Sequence, residues 1–103
     1  MDGYEHTPVS VAGKRAVVVG GTSGIGQAIA LGFAAEGADV IATSRREQAV
    51  DETADLIEAH GVETARVTCD VTDADSLDRV ADVAEETLGG LDVAVSSQGA
   101  ISR

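Results

Sequence analysis

Two kinds of apolar spacing alternate along the chain. Short runs rich in β-branched residues stand at Arg15–Val19 (RAVVV), Asp39–Thr43 (DVIAT), 64–69 (TARVTC) and Val93–Ser96 (VAVS). Longer stretches with helical spacing lie between them, over 24–36, 47–60 and 73–88. In the last, Leu77, Val80, Ala81, Ala84 and Leu88 fall on one face, the stripe of a helix packed on one side. Thr72, with Asp75 three residues on, has the spacing of a capping box at its start. Val50, Ala54 and Ile57 form the stripe of the middle helix, with acids opposite. The first helix is apolar nearly all round (Ile25, Ala28, Ile29, Ala30, Leu31, Phe33, Ala34). It is therefore expected to be the most buried, with Ala28 and Gly32 letting it lie close to the sheet. Gly37, Gly61 and the Gly89-Gly90 pair follow the three helices, where a left-handed cap is wanted.

Strands that alternate with helices build βαβ units and a parallel sheet. The expected fold is α/β, a doubly wound parallel sheet of about four strands and three helices, and an incomplete one. Right-handed crossovers put the first two helices on one face and, if the strand order reverses, the third on the other. No linker or low-complexity segment divides the chain, so residues 1–103 are one domain or part of one, with 1–10 a flexible lead-in.

Composition narrows the chemistry. At 103 residues and 44% hydrophobic the chain can build a core, but only 2% is aromatic. Val, Ile, Leu and Ala must fill it. Eighteen acidic residues stand against seven basic ones, a net charge of −11, and Lys14 is the only lysine. That balance argues against nucleic acid and anionic membranes as partners, since phosphate backbones call for clustered Lys and Arg. It serves solubility, and it also fits a halophilic host, where salt screens self-repulsion. Cys69 is alone, which excludes an intrachain disulfide and suits a reducing cytoplasm. No apolar run nears the roughly 20 residues of a membrane span, and MDGYEHTPVS lacks the regions of a signal peptide.

The sharpest motif is VVVGGTSGIG, residues 17–26. Gly20, Gly24 and Gly26 sit where a strand turns into a helix, opened by Ile25 between the last two. Such a turn lets backbone approach a pyrophosphate and lets the helix pack on the strand. Free N–H groups and the helix dipole meet the anion, and Thr22 and Ser23 can add hydroxyl donors. An ordinary glycine-rich turn is the alternative. The position inside a βαβ unit favours the phosphate cradle of a Rossmann-like domain.

The spacing is G-x-x-x-G-x-G, and here the sequence resembles the short-chain dehydrogenase/reductase family, whose motif is T-G-x-x-x-G-x-G. The lead-in GKRAVVVGGTSGIG looks like that family's first strand and turn, with Val19 in place of the Thr. The resemblance runs from about Val11 onward and implies a dinucleotide cofactor. The second strand ends in Ser44-Arg45-Arg46. An acid at Ser44's place would bind the ribose hydroxyls and exclude a 2′-phosphate. Serine followed by arginine accepts one, so NADP(H) is expected over NAD(H). Two arginines facing solvent at a helix start are the alternative.

By the same resemblance, Asp70 would meet the adenine amino group and Val71 would pack on the ring. Asp70 as a simple turn acid stays open, and Cys69 reads as a small buried hydrophobe. The family's N-N-A-G run is Ser96-Ser97-Gln98-Gly99 here. Gly99 matches, and Ser97 stands where an Asn contributes to the ribose contact. The tail from Gly99 to Arg103 faintly resembles sugar-acid dehydrogenases.

The family's reaction, hydride transfer between NAD(P)(H) and an alcohol/carbonyl pair, uses Tyr-x-x-x-Lys on one helix face. The only tyrosine is Tyr4, ten residues before Lys14 and separated from it by Pro8. No catalytic residue and no metal cluster is expected among these residues. The chain is expected to hold the cofactor half of such an oxidoreductase, with a homo-oligomer expected only of a full-length form. The second reading is a small non-catalytic nucleotide-binding or assembly module.

Overall fold

The computed structural model describes residues 11–97. The lead-in 1–10 and the tail from Gln98 lie outside the described residues. In chain order the elements are β1 (Arg15–Val19), α1 (Gly24–Ala35), β2 (Asp39–Thr43), α2 (Glu47–Glu58), α3 (Ala74–Leu88) and β3 (Val93–Ser96). The three strands form one parallel sheet in the order β2-β1-β3. β1 pairs with β2 from Arg15 opposite Asp39 to Val19 opposite Thr43, and with β3 from Ala16 opposite Val93 to Val19 opposite Ser96. The order reverses at β1, which is central.

Strand alternation sorts the core into two layers. Val18, Val40 and Ala42 point to one face and pack with Ala30 and Ala34 of α1 and Ile57 of α2. Val17, Val19 and Ile41 point to the other and pack with Val80 and Ala84 of α3 and with Cys69. The helices thus lie two on one face and one on the other, the arrangement that the crossovers require. Ile41, Ile57, Val18 and Val40 are fully buried. Each contributes about 1.5–3 kcal/mol of transfer free energy.

The structure departs from five expectations. Residues 64–69 run beside β2 but form no strand among the described residues. Backbone bonds flank the segment: the Val40 N–H donates to the Glu63 carbonyl at 3.1 Å, and the Cys69 N–H to the Ser44 carbonyl, just past β2, at 2.9 Å. Between them the buried Thr43 hydroxyl donates to the Val67 carbonyl, and Arg66 is drawn over α2 to Asp55 and Glu58, each at 2.9 Å. Side chains satisfy the groups that a ladder would have used.

α1 is not the most buried helix. It buries Gly26, Ala30 and Ala34, whereas α2 buries Val50, Thr53, Ala54 and Ile57. Only one side of α1 meets the sheet, so Ile25 is 75% exposed. Ala28 and Gly32 lie on the exposed side, and the close-packing ridge is Gly26, Ala30 and Ala34, four apart. The start of α3 also differs. Asp73, not Thr72, is the N-cap, its carboxylate accepting from the Asp75 N–H at 3.0 Å, while Thr72 turns back to Asp70. Finally, α2 ends at Glu58, short of the expected residue 60, with Ala59 as its cap.

Candidate dinucleotide site

The carboxyl ends of β1, β2 and β3 open into a cleft of about 540 Å³. This is where parallel α/β sheets place their ligands, beside the point of strand-order reversal. β1 delivers Gly20, which adopts φ +76° so that the chain can turn away from the sheet. A side chain there would also overlap the Ser97 hydroxyl. The N–H groups of Gly20 (2.8 Å) and Gly21 (3.2 Å) both donate to the Thr43 carbonyl, so the turn hangs from the end of β2.

The turn closes on α1 at Gly26. A Cβ at this position would collide with the Gly20 carbonyl and press on the Ser97 side chain. Only glycine lets the first turn of the helix approach β1 this closely. Ser23 is the N-cap in extended backbone, and its hydroxyl makes no cap bond. The first bond within the helix comes from the Gln27 N–H to the Ser23 carbonyl at 3.2 Å. The N–H groups of Gly24, Ile25 and Gly26 therefore have no partner among the described residues. With no acid in the first turn, they form a positive pole at the cleft.

β2 delivers Ser44, Arg45 and Arg46 to the same cleft. The hydroxyl of Thr22 donates to Ser44 Oγ at 2.8 Å, which ties the glycine turn to this loop. Arg15 and Arg66 are committed to carboxylates. Arg45 and Arg46 form no ion pair with the described residues, in a chain of net charge −11. The segment beside β2 brings Asp70 and Val71. Asp70 accepts from the Thr72 hydroxyl at 2.7 Å and the Thr72 N–H at 2.9 Å. These bonds, with the nearby Arg45 charge, hold its carboxyl below the usual carboxylate range. Val71 is 41% exposed at the rim. β3 contributes Ser97, whose hydroxyl donates to the Gly20 carbonyl at 3.2 Å.

Gly20, Thr22, Ser23, Ile25, Gly26, Ser44, Arg45, Asp70, Val71 and Ser97 thus line one cleft. Gly24 opens α1 with φ +56° and is not on the cleft wall. Gly99, with the tail that carries the sugar-acid likeness, lies outside the described residues. Val19, Arg46, Cys69 and Thr72 also line the cleft, and the sequence reading did not single them out as site residues. Thr72 was legible as the second residue after an Asp, the spacing of an Asx turn. Among the described residues no group of three His, Cys, Asp or Glu could hold a metal ion, and no helix is long and apolar enough to cross a membrane.

Comparison with known proteins agrees with this architecture. The family model for short chain dehydrogenases matches residues 14–103. The chain belongs to the short-chain dehydrogenase family. It is 34% identical over 92 residues to a fatty acyl-CoA reductase of Mycobacterium tuberculosis, covering 89% of this chain and 31% of that protein. Against tropinone reductase-like 3 of Erythroxylum coca it is 38% identical over 88 residues, covering 85% and 34%. Among solved structures, a hydroxysteroid dehydrogenase from Escherichia coli superimposes with a TM-score of 0.79 at 33% identity, over 84% of this chain and 37% of that one. The chain therefore spans about a third of the length of the curated family members it matches. Short-chain dehydrogenases use NAD(P) dinucleotides, and the cleft fits such a ligand. It presents helix N–H groups and two arginine side chains that have no partner among the described residues.

Proposed function

We propose that this chain is the NADP(H)-binding part of a short-chain dehydrogenase/reductase that acts on an alcohol/carbonyl pair. The observation that carries the choice of NADP(H) is the end of β2. Ser44 stands there in place of an acid, with Arg45 and Arg46 unpaired beside it among the described residues. A 2′-phosphate meets charge-assisted donors there, whereas NAD(H) lacks the group that would use them.

The residues divide the binding work. The N–H groups of Gly24, Ile25 and Gly26 and the Ser23 hydroxyl are placed for the pyrophosphate. Ser44 and Arg45 hold the 2′-phosphate. Asp70 and Val71 take the adenine edge and face, and Ser97 and Gly99 serve the ribose on the nicotinamide side. When bound, the nicotinamide supplies or accepts the hydride. These 103 residues hold no Tyr-x-x-x-Lys pair, so their part is to bind and orient rather than to move the substrate proton. A non-catalytic nucleotide-binding module is the second reading.

Calorimetric titration with NADP(H) and NAD(H) tests the proposal. Tighter binding of the phosphorylated form is expected, and equal or weaker binding overturns it. The 103-residue chain is expected to show no dehydrogenase turnover by itself. Cofactor-dependent turnover would refute the division of labour.

A further inference from the structure

Ser44 Oγ sits at the cleft wall with two donors already on it: the Thr22 hydroxyl at 2.8 Å and the Arg46 N–H at 3.3 Å. A hydroxyl oxygen has two acceptor sites and one proton. With both acceptor sites used, Ser44 can offer the cleft only its proton, and nothing among the described residues accepts that proton. Thr22 is itself held in place from behind. Gln27 Nε2 reaches the Thr22 carbonyl at 3.5 Å and the hydroxyl of fully buried Thr53 at 3.1 Å, so α1 and α2 brace the turn.

We propose that Thr22 is a positioning residue for cofactor choice: by donating to Ser44, it fixes the Ser44 hydroxyl as a donor toward a phosphate monoester beside Arg45. This rests on the NADP(H) reading and adds to it a residue from the glycine turn rather than from the selecting loop. A phosphate oxygen accepts only, and a hydroxyl held as a donor meets it with no rotor left to order. A ribose hydroxyl both donates and accepts, so it gains less from a fixed donor. Thr22 thus contributes to the difference between the two dinucleotides without touching the phosphate that distinguishes them.

The test is a double-mutant cycle read as the ratio of NAD(H) to NADP(H) dissociation constants. Thr22→Val keeps the side-chain shape and removes the hydroxyl. It is expected to lower the ratio roughly three- to tenfold, the worth of one oriented hydrogen bond. Thr22→Ser is expected to restore the ratio. In Ser44→Ala the ratio falls similarly, and adding Thr22→Val to it is expected to change little further, because the two act as a unit. An equal loss for both dinucleotides in Thr22→Val, or an unchanged ratio, overturns the role of Thr22 while leaving the NADP(H) reading intact. A wild-type ratio of one or below overturns that reading, and the role of Thr22 with it.

Discussion

The Arg15 guanidinium Nε lies 2.9 Å from Asp92 Oδ2, and the Arg15 backbone N–H reaches the same oxygen at 2.9 Å. The Asp92 N–H returns a bond to the Arg15 carbonyl at 2.8 Å, and Arg15 Nη1 donates to the Gly89 carbonyl at 2.9 Å. One side chain thereby joins the start of β1, the end of α3 and the approach to β3, at the opposite end of the sheet from the cleft. The hydrogen bond from the Arg15 guanidinium, with its backbone N–H and charge, holds the Asp92 carboxyl below its ordinary range.

A pH dependence follows. The folded pKa of Asp92 lies below its unfolded value of about 3.9. The stabilisation is therefore fully present above that value and is lost as pH falls through the lowered folded one. Asp70 acts in the same direction. Asp92→Asn is expected to lower the urea midpoint at neutral pH and to flatten its fall on acidification. An unchanged acid limb would show that the pair contributes nothing, as many exposed pairs do.

Gly26→Ala is expected to be disproportionate for so small a change. The added methyl meets the Gly20 carbonyl, part of the backbone that carries the cradle. Destabilisation on the order of 1–3 kcal/mol is expected from overpacking, together with loss of dinucleotide binding. Gly32→Ala is the control. Nothing lies within 4 Å of its Cβ position, and alanine suits a helix interior better by about 1 kcal/mol. Chemical denaturation of both variants separates the two cases.

Arg45→Asp is expected to weaken NADP(H) at least about tenfold, since it exchanges a charge-assisted donor for a repelling carboxylate. NAD(H) should hold or gain, because an acid at this loop can accept from ribose hydroxyls. Fluorescence titration of the two reduced cofactors reads the crossover. Unchanged relative affinity would leave the arginine as a solvent-facing charge.

Salt should stabilise this protein. With 18 acidic residues against seven basic ones, self-repulsion opposes the compact state, and multimolar KCl reduces the Debye length to a few ångströms. The thermal midpoint is expected to rise between low and multimolar KCl. No rise would leave the acidic excess as a matter of solubility alone.

The sequence disclosed the fold and the placement of the cleft for physical reasons that are local. The run of β-branched residues before Gly20 marks β1, and the spacing of Gly20, Gly24 and Gly26 marks the turn into α1. Val18 and Val17 alternate to opposite faces because a strand has a period of two, so the two helical layers were legible as well. Less legible were features decided by pairing across the fold. Residues 64–69 have strand composition, yet the Thr43 hydroxyl and the acids of α2 compete for their polar groups. Ile25, in an apolar helix, faces solvent because none of the described residues covers that side. The Thr72 and Asp75 pair fits a capping box by spacing, but Asp73 is the residue whose carboxylate reaches the helix N–H. The bond from Thr22 to Ser44 joins residues 22 apart in sequence, and no periodicity announces it.

Thr43, the last residue of β2, is fully shielded from solvent. Its carbonyl suspends the glycine turn, and its hydroxyl secures the neighbouring segment at Val67. The loop of residues 44–46 starts one residue later and shares neither of those bonds. Residues 44–46 can therefore be exchanged as a cassette on an anchor that stays behind. A transplanted loop that brings its own serine will still look for a hydroxyl at position 22, so grafts between family members should succeed or fail on a residue outside the graft.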